Sequence, residues 1–228
     1  MKFLTILMLI SGAVFAESLE SQLAKKRQGS KAPPQAKSVM QEATQKLQAS
    51  GLAKKAVIRG KKAPDFNLES FKGGNFRLKD ALKKGPVVVT FYRGGWCPYC
   101  NLQLKAYEAR YQDFIKAGAT IIAISPELPE NAKATADANK VSFNLLYDKD
   151  NKVAKRFGLV FDVGEDLQKI YKSFGIDLDK SQGNDKWQLP LAATYVIAKD
   201  STVVYSFVEA DYTKRAEPQV LIDLLNRL

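Results

Sequence analysis

The chain has 228 residues, of which 46% are hydrophobic and 26% charged, ordinary values for a globular protein and enough for one domain with extensions. It contains no histidine and only two cysteines, which excludes histidine metal clusters, Ser-His and Cys-His catalytic arrangements and a four-cysteine zinc site. We therefore expect no metal, and no residue pattern indicates a cofactor. The formal net charge of +11 would suit a nucleic-acid binder, so its distribution along the chain matters.

Residues 1–16 have the pattern of a secretory signal peptide. Lys2 precedes the apolar stretch 3–10, and Val14 and Ala16 stand at the expected cleavage point. The stretch is too short to span a membrane comfortably, and no later segment approaches about eighteen uninterrupted apolar residues. We expect a periplasmic or secreted protein that is soluble after cleavage; an uncleaved anchor is the alternative.

Residues 17–62 form a basic, partly helical N-terminal extension. They hold eleven Lys or Arg against three acidic residues, whereas the charges nearly balance from Ala63 onward. Residues 28–35 resemble a flexible break, and apolar residues from Val39 to Leu52 recur at roughly helical spacing. This amphipathic helix could contact an anionic envelope surface or an acidic partner, or it could be a solvated helix packed on the domain. Because the charge lies outside the domain, no nucleic-acid partner is predicted.

The two cysteines stand between a predicted strand and a predicted helix. Residues 86–92 are a β-branched and aromatic run typical of a strand buried on both faces, and a Gly-Gly turn follows at 94–95. Apolar residues at helical spacing then run through 104–115. Cys97 and Cys100 therefore straddle a helix start, where backbone N–H groups and the helix dipole stabilise a thiolate. This placement predicts a thiol redox protein.

Strand and helix signals alternate through the rest of the chain, so residues 63–228 are predicted to form one α/β domain. Its mixed central sheet is flanked by helices, and the parallel strands end near the cysteines, where ligands of such sheets usually bind. Further strands are predicted at 119–124, 143–147, 193–198 and 203–208, the last two as a hairpin, and further helices at 131–140, 151–157 and 218–228.

The motif Trp96–Cys100 resembles the Trp-Cys-x-x-Cys site of thioredoxins, with the Cys-Pro-Tyr-Cys core of glutaredoxins. The wider frame, from about Gly60 to Leu228, resembles peroxiredoxin-like members of the alkyl hydroperoxide reductase and thiol-specific antioxidant superfamily. The resemblance implies a thioredoxin-like fold, a redox-active disulfide, an external dithiol reductant such as a thioredoxin-like protein or a membrane thiol reductase, and compatibility with a homodimer. The segments that carry it are 63–68, 91–92, 122–125, 189–197 and 207–218.

The two resemblances assign the attacking sulfur differently. In a peroxiredoxin alignment Cys100 attacks a hydroperoxide, Cys97 replaces the usual Thr or Ser, and Arg93 replaces the usual Pro. The distal arginine of that family would fall near Ala192, which cannot stabilise the developing charge.

In a thioredoxin or glutaredoxin alignment Cys97 attacks a protein disulfide and Cys100 resolves the mixed disulfide. Pro190 would then be the residue whose preceding backbone pairs with the substrate strand. Both a cis proline and a turn proline in trans remain open for Pro190.

Four neighbours of the cysteines complete the predicted site. Arg93 is close enough in sequence to lower a thiol pKa or to hold a peroxide oxygen, unless it is only an exposed arginine at a strand end. Pro98 belongs to the Cys-Pro-Tyr-Cys core, and Trp96 and Tyr99 form either an apolar collar for a partner or ordinary packing.

The leading hypothesis is an exported thiol peroxidase that reduces hydroperoxides through a dithiol-disulfide cycle of Cys97 and Cys100, with Cys100 attacking. Disulfide exchange with other proteins through Cys97 is the second hypothesis, and an envelope binding module with incidental thiols is the third. A static disulfide is disfavoured because so short a loop gains little stability.

Overall fold

The computed structural model describes residues 17–228, and the signal peptide expected at residues 1–16 lies outside them. Within the described part of the chain no helix is both long and apolar enough to cross a membrane.

The central sheet is mixed, as the sequence predicted; it has seven strands, and two more strands form a small separate pair. They are β1 (Asn67–Ser70), β2 (Asn75–Arg77), β3 (Val87–Phe91), β4 (Thr120–Ser125), β5 (Asn144–Tyr147), β6 (Val160–Asp162), β7 (Gln188–Pro190), β8 (Ala192–Ile197) and β9 (Val203–Glu209). The sheet order is β2-β1-β5-β4-β3-β8-β9, in which β3, β4 and β5 are parallel and the other neighbours antiparallel. β6 and β7 pair antiparallel outside this sheet.

Helices cover both faces of the sheet. They are α1 (Leu19–Gln28), α2 (Pro34–Ala49), α3 (Leu52–Lys55), α4 (Leu78–Leu82), α5 (Pro98–Ala109), α6 (Tyr111–Lys116), α7 (Pro129–Asn139), α8 (Lys152–Arg156), α9 (Glu165–Ser173), α10 (Leu178–Gln182) and α11 (Pro218–Leu225), with a 3-10 turn at Lys149–Asn151. Leu104, Phe114 and Leu221 pack on one face, whereas Leu82 and Val153 pack on the other.

Strand β3 is buried along its whole length because it separates the two halves of the core. Val88 belongs to the core on one face, whereas Val87, Val89 and Phe91 belong to the core on the other. The alternation follows from the two-residue period of a strand, and a two-sided apolar environment explains the unbroken β-branched run. β3 thus holds the cysteine-bearing turn at its carboxyl end on a rigid support.

The helix predicted after the cysteines is in fact two helices. Arg110 has φ −111° and ψ 12°, and its N–H bonds to the carbonyl of Tyr107 in a tight turn between α5 and α6. The change of direction lets Phe114 bury completely beneath the sheet. The single periodic pattern from 104 to 115 therefore misses a break that tertiary packing imposes.

The extension contains three helices, α1, α2 and α3, instead of the single helix predicted, and it packs against the domain. Leu19 and Leu23, one turn apart on α1, are buried in the same core cluster as Cys97 and Cys100. α2 lies against α9. Residues 29–33, part of the predicted break, link α1 to α2.

Candidate active site

The two cysteines lie at the start of α5, as the sequence predicted. Cys97 is the N-cap residue with φ −89° and ψ 111°, and Cys100 lies in the first helical turn. Pro98, between them, is exposed and occupies a first-turn position, where its missing N–H removes no helical hydrogen bond. Both cysteines are free thiols, and both are fully buried.

A glycine is required in the turn before them. Gly94 has φ +152°, and a Cβ built there would lie 2.3 Å from the Trp96 indole nitrogen and 2.7 Å from a Glu127 carboxylate oxygen. Those distances leave no room for a side chain, so Gly94 allows the turn to close against its neighbours.

Arg93 binds the first cysteine and is not the exposed strand-end arginine of the alternative interpretation. It is 5% exposed, and Nη2 donates to Cys97 Sγ at 3.4 Å while Nη1 donates to the Tyr171 hydroxyl at 2.9 Å. The guanidinium carbon lies 4.3 Å from the ring centroid of Tyr212 and 5.0 Å from that of Trp96. These aromatic faces hold the cation in place by cation–π attraction.

A second buried arginine, which the sequence analysis missed, faces the other sulfur. Arg215 Nη2 donates to Cys100 Sγ at 3.2 Å, and Nη1 donates to the carbonyl oxygens of Tyr212 and Lys214. The peroxiredoxin resemblance placed the distal arginine near Ala192, where none exists. Arg215 lies in the 207–218 segment that carries the resemblance, which was the available signal.

The Arg215 segment is anchored to the active-site helix by a buried polar network. The Tyr107 hydroxyl donates to the carbonyl of Ala216 at 3.0 Å. Gln103 Nε2 lies within hydrogen-bond distance, 3.1–3.2 Å, of the hydroxyl oxygens of Tyr107, Thr90 and Thr194, which share its two N–H donors. Because each of these groups has a partner, the network fixes the segment without leaving a buried polar cost.

The surroundings shift the pKa values of the two thiols in opposite directions. Burial disfavours ionisation of Cys97, but its hydrogen bond with Cys100 and the positive charges of Arg93 and Arg215 outweigh burial and hold the pKa of Cys97 well below its ordinary value. Burial, together with the hydrogen bond and the negative charge of Cys97, raises the pKa of Cys100 well above its ordinary value. The surroundings therefore favour the negative charge on Cys97 and the proton on Cys100.

Within residues 17–228, neither guanidinium forms an ion pair with a carboxylate. Among the described residues no carboxylate oxygen lies within 4.0 Å of a nitrogen of Arg93 or Arg215. Two buried positive charges without carboxylate partners favour negative charge at the sulfurs and at any oxygen beside them.

The buried carboxyl group of Glu127 accepts a hydrogen bond from the glycine turn that precedes the cysteines. Glu127, at the carboxyl end of β4, is 3% exposed, and its Oε2 accepts the N–H of Gly95 at 2.9 Å. Burial raises the pKa of Glu127 to about 7, although the Gly95 hydrogen bond opposes the shift. The sequence analysis did not identify Glu127; its position just after a parallel strand was the only signal.

Trp96 and Tyr99 pack mainly against other aromatic side chains. The Trp96 ring lies 5.3 Å from that of Tyr171, and the Tyr99 ring meets Tyr212 edge-on at 5.5 Å. Tyr99 is 8% exposed, which agrees with the packing interpretation, whereas Trp96 is half-buried. Both side chains line the same cavity.

Pro190 lies in β7, and no described peptide bond is cis, so of the two open alternatives the structure has the trans proline. Leu189, the residue before it, is in register with Phe161 of β6. The backbone that would receive a substrate strand in the thioredoxin alignment is thus already part of a strand pair.

Two cavities have Met40, Arg93, Tyr171 and Tyr212 in both of their linings. The first, of about 350 Å³, lies between α2 and the β6–α9 segment and is called the α2 cavity. The second, of about 430 Å³, lies between residues 26–31 and the cysteine-bearing turn and is called the turn cavity. Both therefore lead to the arginine that contacts Cys97.

Comparisons with known proteins agree on one family. The model of the AhpC/TSA family matches residues 59–206. The chain is 32% identical to a chloroplastic peroxiredoxin Q of Gentiana triflora, over 73% of this chain and 64% of that protein, so it spans less than two thirds of that relative. It is also 32% identical to a chloroplastic peroxiredoxin Q of Sedum lineare, over 73% of this chain and 75% of that protein.

Solved structures show the same fold. Peroxidoxin BcpB from Mycobacterium tuberculosis superposes with a TM-score of 0.59 at 20% identity, covering 75% of this chain and 98% of that one. Xanthomonas campestris peroxiredoxin Q gives a TM-score of 0.53 at 17% identity, covering 71% and 90% of the two chains. The central mixed sheet and its helices are thus those of the thioredoxin-like peroxiredoxin fold.

Proposed function

This chain belongs to the AhpC/TSA family, and from that premise we propose that it is an exported thiol-dependent peroxidase that reduces hydroperoxides through Cys97 and Cys100. The observation that carries the proposal is the contact between Arg93 and Cys97 at 3.4 Å, within a buried dithiol that a second arginine also faces. A guanidinium beside a low-pKa thiolate can bind a peroxide oxygen and stabilise its leaving charge. Export rests on the sequence pattern of residues 1–16.

The chemistry proceeds in two steps. The Cys97 thiolate attacks the terminal oxygen of the hydroperoxide, the O–O bond breaks, and the departing alkoxide or hydroxide takes up a proton to leave as alcohol or water. Cys97 is thereby oxidised to a sulfenic acid. The Cys100 sulfur then attacks the Cys97 sulfur, which forms the disulfide and releases water, and an external dithiol returns two electrons and two protons.

The local electrostatics favour Cys97 as the attacking sulfur. The peroxiredoxin alignment favours Cys100, but that thiol has its pKa raised by burial and by the neighbouring thiolate. Cys97 has its pKa lowered and lies at the helix N-terminus, where a thiolate is stabilised. We therefore assign attack to Cys97 and resolution to Cys100.

Disulfide exchange with folded proteins fits the site less well. Both sulfurs are fully buried, and residues 26–31 of the extension line the turn cavity in front of the cysteine-bearing turn. The backbone beside Pro190 is paired with β6. A small peroxide can enter where an extended protein strand cannot, and two arginines aimed at the sulfurs argue against a binding module with incidental thiols.

Stopped-flow oxidation of the reduced mature protein by hydrogen peroxide tests the proposal, with Trp96 and Trp187 fluorescence as the signal. We expect fast oxidation that Cys97→Ser abolishes. Cys100→Ser should keep the first oxidation, lose turnover and leave a sulfenic acid on Cys97 that dimedone labels. The reverse pattern would assign attack to Cys100, and oxidation no faster than that of an ordinary thiol in the unmodified protein would refute the peroxidase.

A further inference from the structure

Helix α2 supplies one wall of an apolar cavity that reaches the active-site arginine. From α2 the cavity is lined by Met40, Ala43 and Leu47, and its lining includes Arg93. Its volume of about 350 Å³ lies within the range of small-molecule sites. Because α2 precedes residues 59–206, this wall does not come from the part of the chain that matches the family.

The opposite wall is also apolar. Phe161, Val163 and Leu167 come from β6 and the start of α9, and Tyr171 follows one turn later. Such a lining excludes water and favours the hydrocarbon part of a ligand.

The arginine in this lining has an unused hydrogen-bond donor. Two of the Arg93 nitrogens donate to Cys97 and Tyr171, but Nε is buried and has no partner among the described residues. A ligand oxygen bound to this guanidinium would satisfy a donor that the protein leaves unpaired. The same guanidinium also contacts the sulfur of Cys97, since Arg93 Nη2 lies 3.4 Å from Cys97 Sγ.

The exposed rim of the cavity is acidic. Glu42, Asp162, Glu165 and Asp166 are exposed lining residues, against one exposed cation, Lys46. A carboxylate-bearing ligand would be repelled here, whereas an uncharged one would not. The turn cavity has the opposite character, since Lys26 and Lys31 lie in its lining.

We propose that the α2 cavity binds the apolar group of uncharged organic hydroperoxides and places their O–O group at Arg93, so that the extension supplies an apolar wall and the acidic β6–α9 side of the rim selects neutral over anionic substrates. The proposal rests on the peroxidase function above and specifies its substrate. Reaction at the bound O–O group follows the same two steps and yields a neutral alcohol that leaves through the same cavity.

Filling the cavity in the intact chain tests this. Ala43 lines the cavity on α2, whereas Ala49, at the end of the same helix, is exposed and outside the lining, so Ala43→Phe and Ala49→Phe are a matched pair. We expect Ala43→Phe to lower the ratio of kcat/KM for cumene hydroperoxide to kcat/KM for hydrogen peroxide about tenfold, mainly through KM. Ala49→Phe should leave the ratio unchanged, and equal effects of the two would overturn the proposal.

Reversing the rim charge provides a test that does not disturb the core. The unmodified protein should have a lower kcat/KM for linoleic acid hydroperoxide, an anion, than for cumene hydroperoxide. Glu165→Lys with Asp166→Lys should reduce this difference several-fold, whereas Asp185→Lys, exposed and outside the lining, should not. Equal or better use of the anionic substrate by the unmodified protein would assign binding to the turn cavity and refute the proposal.

A binding measurement separates this proposal from the peroxidase function. Titration of the reduced protein with 2-phenylpropan-2-ol, the alcohol product of cumene hydroperoxide, followed by calorimetry, requires no turnover. We expect binding that Ala43→Phe weakens about tenfold and Ala49→Phe does not. Binding without any peroxide reduction would refute the peroxidase alone, and the absence of binding would refute the cavity assignment alone.

Discussion

The guanidinium of Arg215 donates to the Cys100 sulfur at 3.2 Å although 115 residues separate the two in the chain. The contact gives the dithiol a second cation, opposite the one that Arg93 supplies to Cys97. The two arginines therefore favour one negative charge at the buried pair, with the pKa of Cys97 lowered and the pKa of Cys100 raised.

Replacement of Arg215 by Gln should raise the pKa of the Cys97 thiol. The positive charge of Arg215 is one of the causes that lower this pKa, so its loss favours the neutral thiol. The measurement is the pH dependence of iodoacetamide alkylation of the reduced protein.

Two further variants serve as controls for the pH dependence of alkylation. Arg215→Lys should restore part of the shift, because it keeps the charge but loses the guanidinium geometry. The exposed Arg227→Gln should leave the profile in place. If Arg215→Gln gave the same profile as Arg227→Gln, the positive charge of Arg215 would have no part in lowering the Cys97 pKa.

Glu127 should make the folded protein less stable as the pH rises through the weakly acidic range. Burial raises its pKa to about 7 from an ordinary value of 4.5, so the folded state holds the proton more tightly than the unfolded state between these values. The contribution of Glu127 to the free energy of unfolding is therefore fully present below pH 4.5. It is lost as the pH rises to 7, a decrease of about 3 kcal/mol in total. Urea unfolding of the reduced protein from about pH 4 to about pH 8 measures the slope.

Glu127→Gln keeps an oxygen acceptor for the Gly95 N–H but cannot ionise, so this part of the slope should disappear. Glu130→Gln, at an exposed position nearby, should keep it. If the free energy of unfolding depended on pH in the same way in the unmodified protein and in Glu127→Gln, the pH dependence would not come from Glu127.

Leu23→Ala should destabilise the protein and expose the thiols. Leu23 is fully buried on α1 and belongs to the core cluster that contains both cysteines. Loss of a buried leucine side chain costs about 2–5 kcal/mol. The measurements are urea unfolding and the rate of thiol alkylation under native conditions.

The control for α1 is Gln28→Ala, an exposed position at the end of the same helix. It should change the free energy of unfolding by less than about 0.5 kcal/mol. If Leu23→Ala changed the free energy of unfolding as little as Gln28→Ala does, the packing of α1 would not contribute to the stability of the core.

Tyr107→Phe should destabilise the segment that holds Arg215. The Tyr107 hydroxyl donates to the carbonyl of Ala216, and its loss leaves that buried acceptor without this partner, at a cost of about 1–3 kcal/mol. Tyr205→Phe is the control because Tyr205 is half-buried and its hydroxyl makes no hydrogen bond among the described residues. Equal unfolding free energies for the two variants would contradict the role of Tyr107.

The strand-turn-helix unit could be predicted because its signals are local. The unbroken apolar run of β3 reflects burial on two faces, and the two glycines and the cysteines follow within ten residues. The same holds for the β8–β9 hairpin, whose strands lie within one residue or so of their predicted bounds.

Long-range contacts could not be predicted in this way. The resemblance marks the segment that contains Arg215, but no residue pattern around Arg215 predicts its contact with Cys100. The three-residue strands β6 and β7 are too short to show a periodic pattern. Leu19 and Leu23 are spaced one helical turn apart, but only packing decides that this pair faces the active-site helix.

The contact between the two ends of the chain sets the order in which the molecule can be completed. The N–H of Glu20 bonds to the Glu217 carboxylate at 2.6 Å, across 197 residues. During synthesis α1 therefore emerges first but must wait, with Leu19 and Leu23 uncovered, until nearly the whole chain has followed. The core cluster that contains both sulfurs is complete only when α1 docks, so the folding chain passes through a stage in which its two thiols are more accessible than in the finished protein.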